Sequence, residues 1–349
     1  MLAQRHCGRV ARGALRTARY NLAMTIVQCL QRVVVMGTIF LPFADAVEPD
    51  KPSRTAVFVL QWRALGTTIP EPELRNPDTM AVRFFGERER QVLVEGNQPI
   101  FVGRQYREAW PQMEEGQRRI FLHALIRTRM IDDTLQQAVK DGATQVVILG
   151  AGYDSRAYRF QELLRSATVF EVDFPPTQEL KKLRVREVLG GAPKNVVFVP
   201  IDFEKQDLGT VLHAAGYRPD RRTVFVWEGV TYYIPEAGVD ATLRFVADHS
   251  AAGSVIVFDY EYERAVSGKH DDEMLKKIYA RLAGWGEPHI FGMPNDSASE
   301  FVTRRGLKVV EDLGPKELTR RYLTSRKGVK LGEEAWYFGL CVARVPAKR

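Results

Sequence analysis

Cysteine is scarce in this chain: three among 349 residues, at Cys7, Cys29 and Cys341. They lie far apart, in no C-x-x-C pair and at no Cys/His ligand spacing, so neither a disulfide framework nor a zinc site is indicated. His123, His213, His249, His270 and His289 are equally scattered, and no metal is expected. Long apolar runs are missing too. The run from Val33 to Phe43 follows Arg32 and falls short of the roughly 20 residues of a membrane-spanning helix. There are no internal repeats, and no low-complexity tract beyond the first fifty residues. Residues 1–44 contain no Lys, Asp or Glu but six arginines, Arg5, Arg9, Arg12, Arg16, Arg19 and Arg32. Without them, 44 basic residues face 43 acidic ones. The net charge of +7 therefore belongs to the N-terminal extension, and a basic groove for a nucleic-acid backbone is not supported.

What is present is an ordinary globular composition, 45% hydrophobic and 27% charged, in a chain long enough for one large core. Its most informative stretch is Val146-Val147-Ile148-Leu149-Gly150-Ala151-Gly152-Tyr153-Asp154-Ser155-Arg156. A β-branched run stops at a Gly-x-Gly turn and a helix-compatible segment follows. Buried parallel strands hand over to helices in this way in α/β nucleotide-binding units. Glycine lets a ligand approach the backbone with no Cβ in the way.

A dinucleotide fingerprint wants a third glycine three positions after the second. That position is Ser155. Asp154 adds an anion where a diphosphate would sit, which suits a ligand with a positive end. S-adenosylmethionine (SAM) carries a sulfonium and an ammonium and no phosphate. The next strand, Thr168 to Asp173, ends in an acid suited to ribose hydroxyls, a feature that nicotinamide dinucleotides share. The third, Val196 to Ile201, ends at Asp202-Phe203, an acid and an aromatic able to hold an adenine. The fourth, Thr223 to Trp227, ends at Glu228-Gly229. Any one acid alone is better read as a helix N-cap or a solvated carboxylate. Three at successive strand ends, beside a Gly-x-Gly turn, favour a cationic nucleoside cofactor over a pyrophosphate.

These residues resemble the leucine carboxyl methyltransferase-like family of class I SAM-dependent methyltransferases, closest to its bacterial small-molecule O-methyltransferase branch. The resemblance is carried by Arg127-Thr128-Arg129-Met130-Ile131-Asp132-Asp133, Leu149 to Arg159, Glu171-Val172-Asp173-Phe174-Pro175, Pro200 to Phe203 and Trp227 to Tyr233. It covers roughly Ser53 to the C-terminus. It implies a Rossmann-like α/β fold: a seven-stranded sheet with helices on both faces and an N-terminal helical lid. It implies that Arg127 pairs with the SAM carboxylate, that Gly150, Ala151 and Gly152 lie against the methionine moiety, and that Asp173 holds the ribose. Asp202 and Phe203 match the adenine site, and Glu228 the acid near the SAM amino group. Arg63 is a looser match to a basic lid residue. By charge alone Arg118, Arg119 and Arg129 are as plausible as Arg127, although arginine rather than lysine is what bidentate carboxylate binding requires.

Residues 1–50 are read as a basic and apolar extension. Ala44-Asp45-Ala46 resembles a cleavage site, but the segment is too long for a signal peptide from Met1 and nearly uncharged from Met24. A targeting or membrane-surface segment, a disordered extension and a start assigned too far upstream remain open. A loosely ordered extension on a cytoplasmic protein is favoured over membrane association, because SAM is held inside cells. Lys51 to about Gly142 reads as the helical lid and 143–349 as the core. A helix is expected from Pro235 to Ser250, a fifth strand from Ser254 to Tyr260, and late strands at Leu307–Leu313 and Ala335–Val345. Tyr262 to Pro294 and Gly314 to Gly332 read as pocket-shaping insertions.

The expected reaction is methyl transfer from SAM to a carboxylate or hydroxyl of a small molecule. Alternatives are a protein C-terminal carboxylate as acceptor, a catalytically silent scaffold and, less favoured, an NAD(P)-dependent oxidoreductase. A hydroxyl acceptor profits from a base, whereas a carboxylate needs none. Glu228, Tyr232, Tyr233, Tyr260 and Glu261 are candidates, with pocket packing the better reading of the tyrosines. His289 reads as a surface loop histidine. No catalytic residue is singled out.

Overall fold

The strands form where β-branched and aromatic residues run together, and their ends converge on one edge of the molecule. The computed structural model describes residues 53–347 apart from residue 204, so the expectations for residues 1–50 lie outside the described residues. The strands are β1 (Gln145–Leu149), β2 (Thr168–Asp173), β3 (Val196–Pro200), β4 (Thr223–Trp227), β5 (Val255–Glu261), β6 (Lys308–Leu313) and β7 (Phe338–Arg344). They make one seven-stranded sheet in the order β3-β2-β1-β4-β5-β7-β6. The first five are parallel, and β7 runs antiparallel between β5 and β6. Chain order reverses between β1 and β4, which places a ligand crevice beyond the carboxyl ends of these strands.

Side chains alternate across the sheet and feed two cores. Val146, Ile148, Val224 and Val226 face one core, shared with Phe121, Leu125 and Ile131. Val147, Leu149, Phe225 and Trp227 face the other, with Leu212, Leu243 and Val246. The main helices are α1 (Arg54–Gly66), α2 (Glu87–Glu95), α3 (Glu115–Lys140), α4 (Pro175–Leu189), α5 (Leu208–Ala214), α6 (Glu236–Asp248) and α7 (Glu273–Gly284). Each start has a local cause. Ser53 Oγ accepts Ala56 N at α1. Gln117 reaches back to Glu114 N at α3, and Asp207 accepts Thr210 N at α5. Pro175 opens α4, which closes at Gly190 with φ +79°.

Two expectations change. The segment after the Gly-x-Gly turn is not one helix but two single turns, Arg156–Arg159 and Gln161–Leu164, broken at Phe160. Pro235 precedes α6 as its N-cap rather than opening it. Among the described residues no helix is long and apolar enough to cross a membrane, and no group of His, Cys, Asp and Glu is placed to hold a metal ion.

Candidate functional site

The turn after β1 is shaped by its glycines. Gly150 has φ +65°, and a Cβ there would meet Val230 Cγ2 at 2.3 Å. Alanine would suffer both backbone strain and a clash. Gly152 turns its N–H onto Asp173 Oδ2 at 2.6 Å, while Phe174 N donates to Asp173 Oδ1 at 2.8 Å. The carboxylate at the end of β2 is thereby held against the glycine turn. Burial pushes its pKa up to about 6 against the pull of these two bonds. Asp202 and Phe203 follow β3. Both are half-buried; Asp202 Oδ2 pairs with Lys205 at 2.7 Å, and Phe203 packs on the second core.

Helix α3 carries two rows of polar residues at i, i+4 spacing into this region. His123 and Arg127 form one. Arg127 Nε lies 3.0 Å from Glu228 Oε1, and its Nη1 donates to Asp259 Oδ2 at 3.0 Å and Tyr232 Oη at 3.1 Å. Its guanidinium lies over Gly229, whose φ of +72° and missing Cβ permit the approach. Thr128 and Asp132 form the other row. Both receive the guanidinium of Arg156, the first through its carbonyl at 3.2 Å and the second through Oδ1 at 2.8 Å.

Glu228 is the hub. Its Oε1 accepts Arg63 Nη2 at 2.5 Å and its Oε2 accepts Arg156 Nη1 at 2.6 Å, with Arg127 third. Although burial opposes its charge, these arginines hold its pKa well below the carboxylate range. Asp259, two residues before the end of β5, is a second hub. It accepts Gly229 N at 2.6 Å, His123 Nε2 at 3.1 Å and Tyr232 Oη at 3.2 Å besides Arg127. His123 Nδ1 meets Glu334 at 3.2 Å, and the two carboxylates outweigh burial to raise its pKa.

Asp154 does not face the crevice as an open anion: it caps Arg156 N and pairs with the Arg156 guanidinium. Glu228 is compensated by three arginines. Of the acids named at strand ends, Asp173 is the one with no ion pair among the described residues. Arg156, Asp259 and His123 were not singled out from sequence, yet they organise the strand ends. Arg156 did lie inside a quoted motif, and its 1% exposed side chain follows from its four partners.

Other candidates separate cleanly. Arg118 lies over Trp110, Arg119 pairs with Asp272, and Arg129 donates to Tyr322 O. Only Arg127 of these four reaches the strand ends. Tyr260 leaves the site, because its hydroxyl donates to Asp312 at 2.5 Å on the far side of β5. His289 is the opposite case: it is no surface histidine. Its side chain is 8% exposed and bonded to Glu261.

A family model described as leucine carboxyl methyltransferase matches residues 56–247. YktD of Bacillus subtilis, named as a candidate S-adenosyl-L-methionine-dependent methyltransferase, is 32% identical over 203 residues. That match covers 58% of this chain and 66% of YktD, just under two thirds. A protein of Mycolicibacterium vanbaalenii with the same description is 31% identical over 284 residues, 74% of this chain and 89% of its own. In fold, the chain is similar to a DUF574 family protein from Streptomyces avermitilis, with TM-score 0.53, 14% identity and coverage of 76% and 97%. It is also similar to a candidate methyltransferase from Thermobifida fusca, with TM-score 0.53, 13% identity and coverage of 89% and 100%.

Proposed function

This chain belongs to the leucine carboxyl methyltransferase family and is a SAM-dependent methyltransferase, and from that premise we propose that it methylates an oxygen, carboxylate or hydroxyl, of a small-molecule acceptor. The observation that carries the cofactor assignment is the bond from Gly152 N to Asp173 Oδ2. It sets an acid for ribose hydroxyls directly beside a turn that a side chain would block. A carboxylate has lone pairs left after accepting two N–H groups, so Asp173 can still receive hydroxyls.

In this reading Gly150, Ala151 and Gly152 face the methionine moiety, and Asp202 and Phe203 the adenine. Arg127 serves the cofactor carboxylate through Nη2, the nitrogen its other partners leave free among the described residues. Glu228 fits the ammonium less well, since both its oxygens are engaged by arginines. Its first task is to order Arg63, Arg127 and Arg156. The α1–α2 segment acts as the lid, joined to the strand ends by Arg63–Glu228, Ser155–Asp78 and Tyr153–Glu89. SAM supplies a methyl group already activated on sulfonium. The protein has to align the acceptor oxygen with it and exclude water.

The test is calorimetric titration of the full chain with SAM, its demethylated product and NAD, followed by acceptor screening with isotopically labelled methyl. Saturable binding of the first two, with label recovered on oxygen, is expected. A base-labile methyl marks an ester and a base-stable one an ether. NAD binding alone, or label on nitrogen or carbon, would overturn the reading.

A further inference from the structure

β5 ends at Glu261, a buried residue whose Oε2 accepts two hydrogen bonds: Tyr279 Oη from α7 at 2.7 Å and His289 Nδ1 at 2.9 Å. The imidazole ring of His289 lies 4.3 Å from the ring of Tyr232, 4.7 Å from that of Tyr233 in edge contact, and 5.4 Å from that of Tyr279. Its Nε2 is buried and has no hydrogen-bond partner. Leaving such a buried nitrogen unpaired is destabilising, so its retention asks for a reason.

The loop that carries it is pinned on both sides. Ile290 N donates to Tyr232 O at 2.7 Å and Met293 N to Glu261 O at 2.6 Å. Two residues before the histidine, Glu287 accepts Arg54 N at 2.6 Å and Thr55 N at 3.2 Å. Because Glu261 accepts both of its bonds, Nδ1 carries the proton and Nε2 keeps the lone pair. Tyr232 continues the path, its hydroxyl touching Arg127 and Asp259 at the strand ends. His289 also lines a cavity of about 930 Å³ with Glu263, Phe291, Phe301 and Arg305.

We propose that His289, oriented by Glu261, is the general base for a phenolic or enolic hydroxyl acceptor that enters through the cavity His289 lines. This deepens the O-methyltransferase reading and rests on it. In the step, the hydroxyl proton passes to His289 Nε2 while the oxygen forms its bond to the methyl carbon. The carbon–sulfur bond breaks, and its electron pair returns to sulfur as the neutral thioether. The imidazolium that results is stabilised by Glu261. An imidazole is a competent base for a phenol and a poor one for an aliphatic alcohol, which is far less acidic. A carboxylate acceptor would need no base. Burial holds the hydroxyls of Tyr232, Tyr233 and Tyr279 above their ordinary range, so none of the three competes as a base. The groups facing His289 are thus Glu261 from β5, Tyr279 from α7, and Tyr232 and Tyr233 after β4.

The test uses the full chain with labelled SAM, a series of phenols of graded acidity and matched benzoic acids. His289→Asn is expected to lower kcat/KM for a simple phenol about 10²–10⁴-fold at pH 7, with SAM affinity unchanged by calorimetry. The loss should shrink for acidic phenols and at high pH, where the acceptor ionises unaided. A ¹⁵N histidine spectrum of the wild type should show the Nδ1-protonated form. Should His289→Asn unfold the chain, Glu261→Gln, which keeps the shape, carries the same comparison. A loss within about threefold, or one equal across acceptor acidity and pH, overturns the proposal. Methylation of benzoates but of no phenol overturns it while leaving the O-methyltransferase reading standing. Absence of SAM binding overturns that reading itself.

Discussion

Arg156 Nη1 donates to Glu228 Oε2 at 2.6 Å, tying the turn after β1 to the end of β4. The same guanidinium also holds Asp132 and Asp154, so three carboxylates share one buried cation, with Arg63 and Arg127 also on Glu228 and Arg159 also on Asp132. Removing one partner of a buried ion pair typically costs about 3–5 kcal/mol, because the other charge stays buried. Arg156→Ala should therefore lower the unfolding free energy by about that much in urea titrations. A change below about 1 kcal/mol would mean that the network does not hold the strand ends.

Asp173→Asn should keep the fold, by circular dichroism, and lose SAM affinity about 10- to 100-fold. The magnitude follows from losing hydrogen bonds to a charged acceptor, about 1.5–3 kcal/mol each. Near-native affinity would remove Asp173 from the ribose site.

The pH dependence of binding should expose the same carboxyl group. Burial raises it to about 6. Its ionised form accepts ribose hydroxyls and its protonated form loses an acceptor, so affinity should be flat above about pH 7 and fall by up to tenfold per unit below 6. The stability sign is opposite. The folded pKa lies above the unfolded value of about 3.9, so the folded state binds the proton more tightly between these values. Asp173's contribution to stability thus declines as pH rises through that window. Calorimetry from pH 5 to 8 should show the affinity trend in the wild type and a flat profile in Asp173→Asn.

Arg127→Ala should weaken SAM far more than decarboxylated SAM, because only the first offers a carboxylate to the guanidinium. Equal losses for both ligands would mean that Arg127 acts only by holding Glu228 and Asp259.

Glu287→Gln should loosen the start of α1. The Glu287 carboxylate caps Arg54 N and Thr55 N at the positive end of that helix, where an anion contributes about 0.3–1 kcal/mol beyond its hydrogen bonds. Faster amide exchange confined to α1 and the 286–293 loop is expected, with the sheet unchanged. Uniform exchange would deny the link between them.

Much of the fold was legible because sheet strands are local in sequence. Thr168–Asp173 and Thr223–Trp227 are bounded as their β-branched runs suggested, and Gly150 and Gly152 mark the turn by composition alone. The candidate site was half legible. Arg127, Asp173 and Glu228 stand where a motif or a strand end put them. Asp154 misled, because its partner Arg156 lies two residues on and a linear charge pattern does not say which acid is already neutralised. His289 misled for the converse reason. A lone histidine among Glu, Pro and Ile carries no periodic signal, and its partner Glu261 is 28 residues away on another element.

The sequence by itself determined the parallel strands, the glycine turn and the acids at strand ends, since each rests on contacts between near neighbours and on backbone preference. Only the tertiary structure decided which of those charges remain open. Ion pairing depends on distances of a few ångströms between residues as far apart as Arg63 and Glu228. The packing of α1 and α3 on the strand ends sets those distances, and among the described residues it leaves Asp173 without an ion pair while Glu228 is paired three times.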